Sequence, residues 1–343
     1  GMDTEAADYV LRANLSDAES GPTQIIKPTS TGFKIVSNLT SGQTYIYIAI
    51  RRPHKPPTSG TEVFSPIAAT GSSGTSRTVG FPADLIIERN RDANDNIATD
   101  RIRGFAQTNT YSPAILTTWN GAQNSSVYNP AYEVWNTTRR DGDWTNGVSS
   151  VWWHFKRAQG FMDIIRYAGN STIRTLNHNL GVAPELIIVK TLSNSRPWMI
   201  YHSTTGATKY LTFASAGGAA STDSTVWNNT SPTSLVFTIG TANEVNATSE
   251  NFIAYMFATL AGISKVGSYT GTGTTKQINC GFTSGARFVM IKRTDSTGGW
   301  YIWDTARGII AGNDPYLFMN DTPAEVTNTD YIDPYSAGFE LSS

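Results

Sequence analysis

The chain contains three copies of one short segment, spaced roughly 100 residues apart. The copies occupy residues 80–89, 181–190 and 281–292, and each runs from a glycine through an apolar stretch to a basic residue. A repeat of this length predicts a series of structurally equivalent units. Because one active site is not normally copied three times in a polypeptide, the repeat favours a structural or adhesive protein over an enzyme.

Other short elements recur around this segment and have the composition of strands. Trp198 and Trp300 open two of them, and Phe237 and Phe339 begin a Phe-x-Ile or Phe-x-Leu element. The elements are rich in β-branched and aromatic residues and are bounded by Gly, Pro, Asn or Ser, which is typical of strands and turns. An all-β fold is therefore predicted, with strands near residues 45–50, 84–89, 185–190, 252–258 and 287–292.

The number of strands in each repeat indicates its architecture. One full copy offers about eight strands in roughly 100 residues, which fits a two-sheet antiparallel β-sandwich of jelly-roll type. Tandem sandwiches are the first prediction. A β-propeller-like arrangement is the alternative, although one propeller blade needs only about 40 to 50 residues.

The copies are out of phase with the two ends of the sequence. Residues 1–56 match only the second half of a unit and are called the N-terminal half-unit. Residues 57–158 form a divergent first unit, and residues 159–262 form a complete second unit. Residues 263–343 form a third unit without its last strand. An exposed strand edge beside an apolar face invites pairing. We therefore expect the half-unit to pack on another unit. The third unit is the candidate in the same chain, although residues 8–36 duplicate strands that it already has.

Charge and composition exclude several classes of function. Charged residues are 15% of the chain and the net charge is −1, so no basic field is available to bind nucleic acid. No apolar run approaches the roughly 20 residues that span a bilayer, and acidic Asp3, Glu5 and Asp8 lie where a signal peptide would be basic and apolar. Cys280 is the single cysteine, which excludes an intrachain disulfide.

The sequence offers no convincing catalytic, metal or cofactor site. Residues 92–96 alternate Asp and Asn oxygens, but an EF-hand loop would need glycine at its sixth position, where Ile97 stands. The four histidines lack metal-ligand spacing, and His202 is replaced by Asp304 in the next copy. A carboxylate pair such as Asp304 with Glu325 would serve a glycosidase, but sequence alone does not bring the two together.

Tryptophan is the residue type best suited to bind a sugar in this chain. Exposed aromatic rings stack on pyranose faces, but Trp198 and Trp300 share a repeat position and are predicted to lie in the core. The divergent first unit has no such constraint. The candidate glycan-binding residues are therefore Trp119, Trp135, Trp144 and Trp152.

Several of these elements resemble the repeated β modules of tail-fibre and minor structural proteins of marine bacteriophages, cyanophages especially. The match lies in Tyr-x-Gly-Asn at 167–170, His-Asn-Leu-Gly-Val-Ala-Pro at 178–184 and the run 266–308. The resemblance covers 159–343 closely, 8–50 clearly and 57–158 faintly. Such modules normally continue into a further strand, so it also implies that the sequence is a gene fragment.

The resemblance implies a virion component assembled in the host cytoplasm, with virion proteins, further copies of itself or host surface glycans as its partners. It assigns no catalytic residue and no cofactor. A secreted array of carbohydrate-binding modules and a polysaccharide depolymerase are the alternative functions.

Overall fold

A computed structural model shows the protein as an almost entirely β structure. It describes residues 8–10, 20–23, 26–28, 33–35, 40–49, 54–72, 75–92, 96–104, 115–118, 120–123, 132–133, 138–140, 147–214 and 217–342. The predicted all-β fold is confirmed, since strands dominate and every pairing of strands is antiparallel in the described ranges. Helix is confined to single turns there.

The strands follow the order of the repeats along the chain. The N-terminal half-unit contains β1 (Asp8–Val10), β2 (Ser20–Thr23), β3 (Ile26–Pro28) and β4 (Phe33–Ile35). The first unit contains a 3-10 turn (Gly60–Glu62), β5 (Phe64–Thr70), β6 (Ser76–Thr78), β7 (Leu85–Asn90), β8 (Asn96–Asp100), β9 (Ile115–Leu116), β10 (Tyr132–Glu133), β11 (Thr138–Arg140) and β12 (Ser149–Phe155).

The second and third units continue the same pattern. The second contains β13 (Met162–Ala168), β14 (Arg174–Asn177), β15 (Leu186–Thr191), β16 (Met199–His202), β17 (Lys209–Thr212), β18 (Ser221–Thr222), α1 (Ser224–Trp227), β19 (Val236–Ile239), α2 (Asn243–Asn246) and β20 (Asn251–Phe257). The third contains β21 (Lys276–Asn279), β22 (Phe288–Lys292), β23 (Trp300–Asp304), β24 (Leu317–Phe318), β25 (Ile332–Tyr335) and β26 (Gly338–Leu341).

Each unit has two layers, as predicted for a sandwich. The large sheets have the orders β5-β12-β7-β8-β9, β13-β20-β15-β16-β17-β18 and β22-β23-β24. The small sheets are β10-β11-β6, β14-β19 and β21-β26-β25. An outer core lies between the layers, such as the one that joins Val289, Trp303, Ile332 and Phe339 in the third unit.

The large sheets of all three units also share one central core. Trp153 and Phe155 of the first unit, Ile164 and Tyr255 of the second, and Ile302 of the third belong to this single buried cluster. The three tandem sandwiches therefore also pack on one another through their large sheets. They surround a common apolar centre, a radial arrangement closer in this respect to the propeller-like alternative.

Glycines at the turns show that the three units are structurally equivalent. Gly80, Gly181 and Gly281 precede the central strand and have φ of 93°, 81° and 74°. A positive φ of this size strains other residues, which explains why glycine recurs there. Each of these strands then pairs in the same register with the next one: Leu85 with Asp100, Leu186 with His202 and Phe288 with Asp304. The predicted repeat is thus a repeat of structure.

The third unit differs from the others at one sheet edge. In the first two units the closing strand, β12 or β20, lies inside the large sheet and pairs with the central strand, β7 or β15. In the described part of the third unit, the central strand β22 pairs only with β23. The large sheet of this unit therefore lacks the strand that the other two have in its middle.

One of the predicted strands does not form. Strands occur near 84–89, 185–190, 252–258 and 287–292 as expected, but residues 45–49 have no regular structure, and residue 50 lies outside the described ranges. Ile46 and Ile48 are 99% and 88% exposed. The composition suits a strand, but no neighbouring strand pairs with this segment, and a strand without a partner is not stable in water.

Candidate functional site

Of the four tryptophans predicted to bind a glycan, only Trp152 lies in the described part of the chain. Trp152 of β12 is fully buried, and the Arg77 guanidinium lies 5.3 Å from the centre of its ring. This ring has no exposed face on which a sugar could stack. Trp119, Trp135 and Trp144 lie outside the described residues. Trp198 and Trp300 are buried, as predicted.

The polar groups of the large sheets are concentrated where the units meet. Trp198 donates from Nε1 to the carbonyl of Leu116 in the first unit, and Trp300 donates to the carbonyl of Thr212 in the second, both at 2.9 Å. Asn96 occupies the equivalent position in the first unit, and its Nδ2 donates to the carbonyl of Phe318 in the third at 3.0 Å. Three equivalent side chains therefore connect the units in a closed ring.

A second ring of contacts comes from the basic residue at the end of each central strand. Arg89 donates to the carbonyl of Pro323, 2.5 Å away, and Lys190 Nζ donates to that of Asn120 at 2.7 Å. Lys292 Nζ donates to the carbonyl of Gly217 at 2.9 Å. Each cation again reaches the backbone of the neighbouring unit.

These cations are held in a poorly solvated environment. Lys190 is fully buried, and burial lowers its pKa to about 7, although the Glu250 carboxylate opposes the shift. Burial also lowers the pKa of Lys292. Their hydrogen bonds to backbone carbonyls give these cationic groups partners in place of the water that they lose on burial.

A third set of contacts joins the closing strands to buried carboxylates. The Tyr255 hydroxyl of β20 donates to Asp100 at 2.7 Å, and Trp153 of β12 donates from Nε1 to Asp304 at 2.9 Å. Tyr255 and Trp153 are equivalent, as are Asp100 and Asp304, by their registers. The equivalent acceptor position in the second unit holds His202.

Each of these carboxylates is also paired with an arginine three residues later. Arg103 binds Asp100 at 2.5 Å and Arg307 binds Asp304 at 2.6 Å, and all four side chains are fully buried. A buried charge is tolerated only when it is paired and hydrogen-bonded. These carboxylates thus have a structural environment, with their oxygens taken by arginine and by a neighbouring unit.

The structure brings Asp304 and Glu325 close together through one arginine. Arg307 binds Asp304 and also donates to Glu325 at 3.1 Å, while Arg91 of the first unit binds Glu325 at 2.6 Å. A glycosidase needs one carboxyl group that can donate a proton. Here both carboxylates are bound by arginine, and Glu325 is bound from the first and the third unit.

A polar pocket opens beside this ion-pair network. Its volume is about 270 Å³, and its walls come from the first and third units: Arg91, Asp92, Ser149, Ala324, Glu325 and Thr327. Small-molecule sites are commonly about 300 Å³ or larger and mostly apolar. The pocket is therefore small, and the groups that it offers are suited to a polar ligand.

Histidine and cysteine have local structural roles. His178 bonds through Nε2 to the Thr233 carbonyl, and the Thr204 amide donates to Nδ1 of His202. Burial raises the pKa of the Cys280 thiol, which disfavours the reactive thiolate. In the described ranges no three His, Cys, Asp or Glu side chains cluster as metal ligands, and no helix there is long and apolar enough to cross a membrane.

The contacts between units are not predictable from the sequence. Their donors differ in identity from copy to copy, as Asn96, Trp198 and Trp300 do, and their acceptors are backbone carbonyls that leave no sequence signal. One signal was present, because a basic residue ends all three copies of the repeated segment. A basic residue that recurs at the end of the apolar strand in every copy indicates a contact that each unit repeats. It does not identify the group that this residue binds.

Comparison with known proteins identifies one family. The family model described as a domain of unknown function, DUF7483, matches residues 60–343, which cover the second and third units and all but the first three residues of the first unit. No curated protein and no solved structure matches the chain.

Proposed function

The chain belongs to the DUF7483 family, and we propose that it is a structural and adhesive component of a bacteriophage tail fibre or of another minor part of the virion. One observation carries the proposal. The polar side chains at equivalent repeat positions bind the neighbouring unit, so the chemistry that the units share serves assembly. An enzyme would instead keep at least one such group available to a substrate.

The sequence resemblance supports the choice of a virion over other assemblies. The polar pocket between the first and third units supports the adhesive part, because hydroxyl, guanidinium and carboxylate groups in its walls suit the hydroxyls of a glycan. Its location at a junction means that a bound glycan would contact two units.

A glycan array combined with a reducing-end assay tests the adhesive part. The purified chain is expected to bind one or more bacterial surface polysaccharides without releasing reducing ends. Thr327→Trp fills the pocket and should abolish binding, while Thr322→Trp, an exposed change elsewhere on the third unit, should not. Release of reducing ends that is lost in Glu325→Gln would show a depolymerase instead.

Immunogold labelling tests the assignment to a virion. Antibodies against the purified chain should label tail structures on purified particles of the phage that carries the gene. Labelling of the secreted fraction of bacterial cells, and not of particles, would favour a secreted carbohydrate-binding protein.

A further inference from the structure

The third unit has a vacant strand position in its large sheet. In the second unit β20 lies between β13 and β15, but the described part of the third unit has no strand between residues 264–270 and β22. Residues 264–270 are equivalent to β13 and have no regular strand structure. Tyr269 is 37% exposed, whereas its equivalent, Tyr167, is 8% exposed. In the described residues, therefore, neither of the two segments that flank this position, residues 264–270 and β22, has a strand paired with it there.

The surroundings of the vacancy are apolar on both faces. Phe288 and Met290 of β22 face the central core, and Val289 and Ile291 face the outer core of the third unit. Gly271 also marks the opening: an added Cβ there would meet nothing within 4 Å, whereas at the equivalent Gly169 it would lie 2.1 Å from the Ala247 carbonyl oxygen. The missing neighbour is thus a strand with apolar residues on both faces, preceded by a close turn.

Residues 44–49 have the sequence of that strand. Asn-x-Thr-Ser at 38–41 aligns without a gap with Asn-x-Thr-Ser at 246–249, which places Tyr47 at the position of Tyr255. Tyr45, Tyr47 and Ala49 then fall on the side of Ile253, Tyr255 and Phe257, which face the central core. Ile46 and Ile48 fall on the side of Ala254 and Met256, which face the outer core.

The incomplete set of contacts between units provides independent support. Tyr255 binds Asp100 and Trp153 binds Asp304, so the third contact of this set would join the third unit's closing strand to His202. The Thr204 amide donates to Nδ1 of His202, so Nε2 carries the proton of the neutral ring. This N–H can donate to the hydroxyl of a tyrosine at the position of Tyr47.

The chain can make this connection within one molecule. Five residues lie between Phe155, at the end of a closing strand, and Phe161, at the start of the next unit. Thirteen residues lie between the corresponding positions Ala49 and Val63. The first unit already begins beside the vacancy: the rings of Phe64 and Phe288 are 5.4 Å apart, and Arg287 donates to the Phe64 carbonyl at 2.9 Å. The linker is therefore more than long enough.

We propose that residues 44–49 insert between residues 264–270 and β22 of the same chain and complete the large sheet of the third unit. Ile46 and Ile48 are exposed in the structure, which corresponds to the state before residues 44–49 insert. The driving force is the burial of these side chains together with pairing of the free edge of β22.

Disulfide trapping in a Cys280→Ser background tests the proposal. The register of β20 on β15 places Ile46 opposite Ile291 and Ile48 opposite Val289. Mild oxidation of the full chain carrying Ile46→Cys with Ile291→Cys, or Ile48→Cys with Val289→Cys, should give an intramolecular disulfide. The matched control, Ile46→Cys with Val289→Cys, is two residues out of register and should not crosslink, because diagonal neighbours are too far apart.

Non-reducing electrophoresis and light scattering distinguish the outcomes. A crosslinked monomer supports the proposal, whereas a disulfide-linked dimer would show that the strand belongs to a second chain and would overturn closure in one molecule. Absence of a crosslink in both in-register pairs also overturns it.

Melting provides a second readout that needs no crosslink. Ile46→Asp with Ile48→Asp should lower the Tm by several degrees, since both carboxylates would enter apolar surroundings. Ile35→Asp, an exposed change in the same half-unit, is the control and should leave the Tm unchanged. If the double variant melts like the wild type, residues 44–49 remain outside the sheet and the proposal is wrong.

Discussion

At the residue scale, buried side chains that reach a neighbouring unit are expected to contribute most to stability. Trp300→Phe removes the donor to the Thr212 carbonyl and should cost about 1–3 kcal/mol, the usual effect of leaving a buried group without its hydrogen bond. Trp227→Phe is a matched control, because within the described residues Trp227 Nε1 has no hydrogen-bond partner. Chemical denaturation measures both, and equal losses would contradict a role for the hydrogen bond.

The buried lysine at the junction of the first two units should make stability depend on pH. The folded pKa of Lys190, about 7, is below its ordinary value of 10.5, so the folded state holds fewer protons than the unfolded chain between these values. Stability should therefore fall as the pH is lowered from about 9 to about 7, by up to about 2 kcal/mol.

The variant Lys190→Met should lose this dependence, and the exposed change Lys209→Met should keep it. Urea denaturation at several pH values measures the slope. A slope that is the same in Lys190→Met and in the wild type would assign the pH dependence to other groups.

At the scale of elements, the small sheets depend on close approach of backbones. In the antiparallel pair of β21 and β26, a Cβ at Gly338 would lie 2.0 Å from the Ile278 carbonyl oxygen. Gly338→Ala must push the two strands apart, and it should lower the stability by about 1–3 kcal/mol. Gly218→Ala, where the space is open and φ is not positive, should have little effect on the Tm. Similar melting of both variants would show that the β21 and β26 pair accommodates the added methyl group without cost.

The elements were predictable from sequence where their signal is local. Apolar runs predicted the central and closing strands of the second unit, and recurring glycines such as Gly181 and Gly281 predicted the turns before the central strands. The segment 45–49 shows the limit, because its strand depends on a neighbour and not on its own composition. Propensity describes what a segment tolerates, whereas pairing decides what it forms.

At the scale of the whole molecule, the shared core should make the units unfold together. Because Trp153, Tyr255 and Ile302 belong to one buried cluster, separating the units would expose it. Calorimetry of the full chain is expected to show one cooperative transition. Excised residues 159–262 should fail to fold as a soluble monomer. A stable, folded single unit, or three separate transitions, would contradict the common core.

This arrangement could not be predicted from the sequence. Each unit looked large enough to be a sandwich on its own, and it does form two layers with an outer core. Each large sheet has a second apolar face, which meets the other units. In the sequence this face leaves only one signal, namely strands that are apolar on both sides, such as residues 186–189. That pattern indicates burial on two faces without identifying the covering element.

The three equivalent contacts made by Asn96, Trp300 and Trp198 all run in one direction around the ring, which has a consequence for symmetry. The first unit donates to the third, the third to the second, and the second to the first. Such a head-to-tail interface closes after three copies and needs no covalent link between them. A polypeptide consisting of one unit with Trp at the donor position could make this same contact at every junction by assembling as a homotrimer. When the three units are joined in one chain, each can carry a different residue at an equivalent position. Asn96, Lys292 and His202 are examples, since each differs from its counterpart in at least one other unit.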